Sequence, residues 1–157
     1  MWLHAARGSN MGDARCTACD LLDGTRSVPG GLVLRAGGFA LHALDGPSPL
    51  PGWLVLTAER HCRALYDLDA GAAAALGPLL QRVMRAQREV LGAEHVYLFA
   101  IGDVLHHTHL HLVPRYATTP ERLRGRGAFE ALPEEARPAA ELAAAARLVA
   151  EALTAGW

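Results

Sequence analysis

The chain has no lysine: all 15 of its basic residues are arginine. That excludes a Schiff-base lysine, a phosphate-loop lysine and a Ser–Lys dyad. Serine is almost as scarce. Ser9, Ser27 and Ser48 are the only three, and none stands in a Gly-x-Ser-x-Gly elbow, so a serine hydrolase of that design is excluded as well. No uninterrupted apolar run reaches the ~18 residues that a membrane-spanning helix needs. The first stretch contains Arg7, Asp13 and Arg15 and no apolar signal core, so the expectation is a cytoplasmic protein with no membrane partner. A net charge of −1 gives no single-signed field of the kind that holds nucleic acid. Cysteine is limited to Cys16, Cys19 and Cys62. In a reducing compartment that odd number points to metal binding rather than to a disulfide.

What the chain does have is histidine. Four of its 8 histidines lie between His106 and His111. In His107-Thr108-His109-Leu110-His111-Leu112-Val113 they alternate with other residues, and side chains on a strand alternate faces. His107, His109 and His111 therefore share one face, and Thr108, Leu110 and Leu112 share the other. Leu110 and Leu112 suit a core. Three imidazoles do not, because each carries nitrogens that need partners, so the histidine face is expected to line a cleft. His106 falls on the opposite face and reads as a strand-edge or bulge residue.

The 157 residues predict one domain, over 16–157, after a flexible leader over 1–15. Leu32 to Arg35 and Phe39 to Leu44, joined across Ala36-Gly37-Gly38, read as a β-hairpin. A loop with Pro47, Pro49 and Pro51 follows, and Trp53 to Thr57 reads as a third strand. Asp69 is the expected N-cap of a helix reaching about Leu91, with Gly92 past its end. Leu76, Leu80, Val83, Gln87 and Val90 trace its inner face, and Pro78 predicts a kink or a break. Val96 to Ile101 and Val104 to Pro114 are the fourth and fifth strands, antiparallel across a Gly102-Asp103 turn. Residues 115–138 read as a loop, and Ala139 to Leu153 as a final helix. The fold class is α+β: an antiparallel sheet of about five strands, with helices packed on one side.

Two chemistries fit the histidines. They could hold a metal in an open catalytic site, or one imidazole could attack phosphorus with the others in support. Cys16-x-x-Cys19 follows an irregular leader and precedes a glycine-rich stretch, a context that favours metal over redox chemistry. It needs two more ligands, and Cys62, His61, His42 and His107 all qualify by type. His42 and His95 otherwise read as ordinary strand or surface residues.

The histidine run resembles the signature of the histidine-triad superfamily of nucleotide hydrolases and nucleotidyl transferases. The likeness extends over about Cys16 to Arg115. It includes Leu44-Asp45, the proline loop, Gly52-Trp53-Leu54-Val55-Leu56, Arg60-His61, Gly102 and Pro114-Arg115. The resemblance implies that His109 attacks the α-phosphorus to form a nucleotidyl-histidine that water later breaks. His111 would bond the phosphate oxygens, and Asp45 the ribose hydroxyls. Zinc-containing members further imply a structural zinc on Cys16, Cys19, His61 and His107, with Cys62 a buried small hydrophobe. The substrate would be a dinucleoside polyphosphate or a nucleoside phosphoramidate, and the assembly a homodimer. The chain departs from the pattern at Asp103 and Val104, where members carry phosphate donors. Arg115 is the expected replacement, with Arg122, Arg124 and Arg126 on the following loop as others. Two alternatives remain: a metal-dependent hydrolase built on the histidine strand, and a non-catalytic nucleotide-binding protein.

Overall fold

A computed structural model of the protein describes residues 16–156. The leader expected over 1–15 lies outside the described residues. Strands β1 (Leu32–Ala36) and β2 (Phe39–Ala43) form the expected hairpin. Gly37 and Gly38 both take positive φ, 59° and 81°, as a two-residue hairpin turn requires. Strand β3 (Leu54–Ala58) pairs with β2, and strands β4 (His95–Phe99) and β5 (His109–Arg115) complete one antiparallel sheet in the order β1-β2-β3-β5-β4.

Helix α1 covers Thr17–Asp23, α2 covers Ala70–Leu91 and α3 covers Ala139–Thr154. Helices α2 and α3 pack on the sheet face that carries Leu41, Leu54, Leu56, Leu110 and Leu112, all of them buried. Each such side chain contributes roughly 1.5–3 kcal/mol of burial. No described helix is long and apolar enough to cross a membrane.

The caps of α2 follow the sequence. The Asp69 side chain accepts from the amide of Ala72, and Gly92 closes the helix at φ 72°. Pro78 does not break it. The helix runs unbroken from Ala70 to Leu91, because Ala74, whose carbonyl loses its donor at Pro78, lies on the exposed side. On that side the carbonyl is open to solvent, which lowers the cost of the missing amide. The buried stripe is Ala72, Leu79, Val83, Ala86 and Gln87, so the helix is turned toward Leu79 and Ala86. Leu76, Leu80 and Val90 flank the core, partly buried.

Three further elements differ from expectation. The Cys16-x-x-Cys19 segment opens a helix, α1, where a glycine-rich stretch was expected to follow the pair. Strand β5 begins at His109 rather than Val104, and β4 ends at Phe99, so residues 100–108 form a long connection in place of a tight turn. The cause is distant in sequence: Thr108 donates from both its amide and its hydroxyl to the carbonyl of Cys62, at 2.7 and 3.0 Å. That pulls the backbone out of the ladder with β4. Finally, residues 115–138 are not open loop but contain three short 3₁₀ turns, Glu121–Leu123, Gly125–Glu130 and Pro133–Glu135, which bury Leu123 and Ala128.

Candidate functional site

The start of α1, the segment after β3 and the segment before β5 meet on the sheet face opposite α2 and α3. Cys16, Cys19, His61 and His107 come together there, their ligand atoms all within 4.8 Å of one another. Cys16 Sγ and Cys19 Sγ lie 3.3 and 3.6 Å from His107 Nδ1, and Cys19 Sγ lies 3.3 Å from His61 Nδ1. A tetrahedral zinc with ordinary bond lengths separates sulfur and nitrogen by roughly 3.5 Å, so the set fits a Cys₂His₂ site. The far side of His107 fits as well. Its Nε2–H donates to the carbonyl of Ala58 at 2.7 Å, which leaves the Nδ1 lone pair facing the sulfurs. A backbone carbonyl behind a histidine ligand is the usual device for fixing its tautomer. Burial, and then the neighbouring Cys16, Asp20 and Asp23, push the Cys19 thiol up to about 11. A bound cation reverses that balance by stabilising the thiolate.

One step along the chain, the histidines change partners. His109 Nδ1 lies 2.6 Å from the carbonyl of His107. A carbonyl only accepts, so the proton is on Nδ1 and the Nε2 lone pair of His109 is free. His111 Nδ1 accepts from the indole N–H of Trp53 at 3.2 Å, which puts the proton of neutral His111 on Nε2. Burial, then His109 and His42, push the pKa of His111 down from 6.5 to about 4, so His111 is neutral near pH 7. The two rings are 5.1 Å apart, nearly perpendicular. A ring nitrogen with no proton to donate thus stands beside a hydrogen-bond donor. From the opposite face, Gln87 Nε2 donates to the carbonyls of Gly52 and Leu112 at 2.8 and 3.1 Å, securing the backbone next to both Trp53 and His111.

Cavities flank this pair. One, of about 180 Å³, lies over β2 and β3 and is lined by Asp45, His42, Thr57, His109 and His111, with Ala18 and Leu21 of α1 as a wall. Asp45 is paired there with Arg26, Nε to Oδ2 at 2.5 Å and Nη2 to Oδ1 at 3.1 Å. A carboxylate has about four lone-pair sites, so acceptor capacity remains. A second cavity, of about 310 Å³, lies between the proline loop, the segment before β5 and the turn that carries Phe129, and is lined by His109, His111 and otherwise apolar residues. A third, of about 260 Å³, opens beside His107 and His109 toward Arg63.

No family model matches the sequence, and no curated protein matches it. Solved structures do. A Zn-bound histidine triad family protein from Mycobacterium smegmatis aligns with a TM-score of 0.69 at 21% identity, over 93% of this chain and 100% of that one. The chain has the histidine-triad fold. A hypothetical histidine triad nucleotide-binding protein from Sulfolobus tokodaii aligns at 0.69 with 18% identity, over 89% of this chain and 93% of that one. A diadenosine triphosphate hydrolase from Plasmodium falciparum aligns at 0.60 with 15% identity, over 80% and 77%.

Within this histidine-triad fold, the four expected metal ligands meet, and Asp45, His109 and His111 share one cavity. Arg115 is not brought to them. It lies four residues past His111, roughly 13 Å along a strand, and its guanidinium faces Glu94 at 3.6 Å. Arg122 pairs with Glu135, and Arg124 donates to the carbonyl of Thr119. His107 itself precedes the strand. Asp103 and His106 are exposed, and Val104 is 96% exposed. Three residues escaped the sequence reading. His42 is buried at 4% exposure; it donates from Nδ1 to the carbonyl of Ala43 and accepts at Nε2 from Thr57, at 2.7 and 2.8 Å. Burial lowers its pKa. Its alternation with Leu41 and Ala43 placed it off the core face, but only the sheet order brings it to the histidines. Trp53 and Phe129 are the others, and no sequence signal linked either to His111.

Proposed function

We propose that the protein is a nucleotide hydrolase or nucleotidyl transferase of the histidine-triad type, acting at the α-phosphate through a nucleotidyl-His109 intermediate. The observation that carries this reading is the pair of opposed tautomers: His109 with a free Nε2 lone pair, His111 with an Nε2–H beside it. His109 Nε2 attacks phosphorus, the N–P bond forms and the bond to the leaving group breaks. Its Nδ1–H stays on the His107 carbonyl and stabilises the positive ring that develops. His111 donates to a phosphoryl oxygen, where charge must be held. Water then attacks phosphorus, releasing the nucleotide and restoring His109. Asp45 accepts from the ribose hydroxyls, with Arg26 keeping its carboxylate oriented.

Zinc on Cys16, Cys19, His61 and His107 is part of the same proposal. Four protein ligands leave no open position, so the ion would supply structure: it would pin α1 and His107 in place. The alternative of a catalytic metal on His107, His109 and His111 is less well supported. Nδ1 of His107 faces the cysteines and its Nε2 faces the carbonyl of Ala58, so His107 has no nitrogen left for an ion shared with His109 and His111.

Intact-mass measurement tests the reading. Mixing the protein with adenosine 5′-phosphoramidate or diadenosine triphosphate should add one adenylyl group, transiently. His109→Ala should lose the addition and keep its metal. Binding without any labelling would favour the non-catalytic alternative, and metal lost in His109→Ala would favour the catalytic-metal one.

A further inference from the structure

Trp53 orients His111, and something must in turn place Trp53. The residue stands one position before β3, and the pairing of β3 with β5 begins only at Leu54, opposite Leu112. Its amide bonds the carbonyl of Leu50, and its carbonyl accepts from the amide of Leu44, neither of them in β5. The turn that delivers it, Pro51-Gly52, is held by side chains from α2 and from the end of β5. Gln87 Nε2 donates to the carbonyl of Gly52 at 2.8 Å and to that of Leu112 at 3.1 Å. The hydroxyl of Tyr116, one residue past β5, donates to the carbonyl of Pro51 at 2.5 Å. Gly52 has φ 84°, and a side chain there would meet both Leu91 of α2 and the Tyr116 hydroxyl, so glycine is what lets the turn come this close.

Gln87 is a costly residue for its place. It is fully buried, in a stripe with Leu79, Val83 and Ala86, where a leucine would pack with no polar group to satisfy. Both atoms facing its Nε2 are carbonyl oxygens, which only accept, so the amide is fixed with its nitrogen toward them. No described residue donates to its Oε1. What the amide does is bridge two backbones that the sheet does not pair there: Gly52, just before Trp53, and Leu112, just after His111. We propose that Gln87 is a positioning residue: from the helix side of the sheet its amide fixes the separation of the Trp53 and His111 backbones, and with it the indole-to-imidazole bond that puts the His111 proton on Nε2. Tyr116 steadies the same turn through the neighbouring carbonyl. Without the bridge the indole drifts from Nδ1, His111 samples both tautomers, and the donor beside His109 is present only part of the time. The consequence for catalysis rests on the function proposed above, whereas the consequence for the tautomer does not.

Imidazole nitrogen-15 NMR reads the tautomer whether or not the protein is active. Gln87→Met, close in shape and without a donor, should turn the Nε2–H form of His111 into a mixture. Tyr116→Phe, which takes one bond from the same turn at a partly exposed residue, should do so to a lesser degree, and it decides the matter should Gln87→Met fail to fold. Val83→Ala loosens the same stripe one turn away and should leave the tautomer unchanged. With adenosine 5′-phosphoramidate as substrate, Gln87→Met should lower kcat by no more than loss of the indole bond itself, about 2- to 12-fold. Added to Trp53→Phe it should lower kcat no further, because both act through one bond. The proposal is overturned if His111 keeps its Nε2–H form in the folded variants of Gln87 and Tyr116, if Val83→Ala shifts the tautomer as far, or if the effects of Gln87→Met and Trp53→Phe on kcat multiply. If the parent protein is never labelled by a nucleotide substrate, the nucleotidyl-histidine reading falls, and the tautomers of the three variants decide the role of Gln87 by themselves.

Discussion

The indole N–H of Trp53 donates to Nδ1 of His111 across the β3–β5 pair, 58 residues apart in sequence. That single bond decides which nitrogen of His111 carries a proton, and so whether His111 offers a donor or an acceptor to whatever lies against His109. Trp53 is buried and also forms the wall of the apolar cavity, so one side chain sets both the polarity of the histidine and the shape beside it.

Trp53→Phe keeps much of the shape and removes the donor. One net hydrogen bond is worth about 0.5–1.5 kcal/mol, so kcat should fall roughly 2- to 12-fold with the fold retained. Nitrogen-15 NMR of the imidazoles should show the Nε2–H tautomer of His111 giving way to a mixture. An unchanged tautomer would mean that something other than Trp53 orients the ring.

The depressed pKa of His111 makes a claim about stability. Above pH 6.5 the ring is neutral in both folded and unfolded chains, and its contribution is flat. Below 6.5 the unfolded chain takes up a proton that the folded one refuses until about pH 4. Stability therefore falls with pH across that window, by on the order of 3 kcal/mol. His42, lowered in the same direction, adds to the trend. Denaturant titrations at pH 7 and pH 4.5 should show a smaller drop for His111→Gln than for the parent protein; equal drops would contradict the assignment.

Metal analysis addresses the cysteines one at a time. Cys16→Ser should lose bound zinc, while Cys62→Ser, whose thiol contacts Thr108 and lies outside the ligand group, should retain it. Because Ala18 and Leu21 of α1 wall the Asp45 cavity, loss of the metal should raise KM more than it lowers kcat. Zinc content unchanged in Cys16→Ser would remove the site.

Asp45→Asn keeps the shape and removes the charge. Hydrogen bonds to charged groups contribute about 1.5–3 kcal/mol, so adenosine monophosphate should bind roughly 10- to 100-fold more weakly. The 2′,3′-dideoxy nucleotide should be nearly indifferent to the change. Calorimetry with both ligands checks this, and an equal loss for both would mean that Asp45 acts on the fold rather than on ribose.

The parts legible in the sequence are those governed by local rules. Period-two alternation put Leu110 and Leu112 into the core and His109 and His111 on the other face. Asp69 and Gly92 bounded α2, and Gly37-Gly38 closed the hairpin. The resemblance, not the spacing, singled out His61 and His107 for the cysteines. What could not be read was long-range. Thr108 pairing with Cys62 shortened β5, and no local pattern announces a bond across 46 residues. His42 became part of the site only through the order of the strands, and Phe129 only through the path of 115–138. Pro78 misled because its cost depends on whether the freed carbonyl meets water, which follows from how the helix is packed.

His107 serves two neighbours with two different parts of itself: its ring faces the cysteines, and its backbone carbonyl holds the proton of His109. Such a residue couples two equilibria. Any ligand that favours one ring setting of His109 and thereby one position of that carbonyl must alter the affinity for the metal, and the metal must alter the affinity for that ligand by the same factor, since free energy around a closed cycle sums to zero. On the proposed function, nucleotide affinity and zinc affinity would therefore be coupled through a single backbone position.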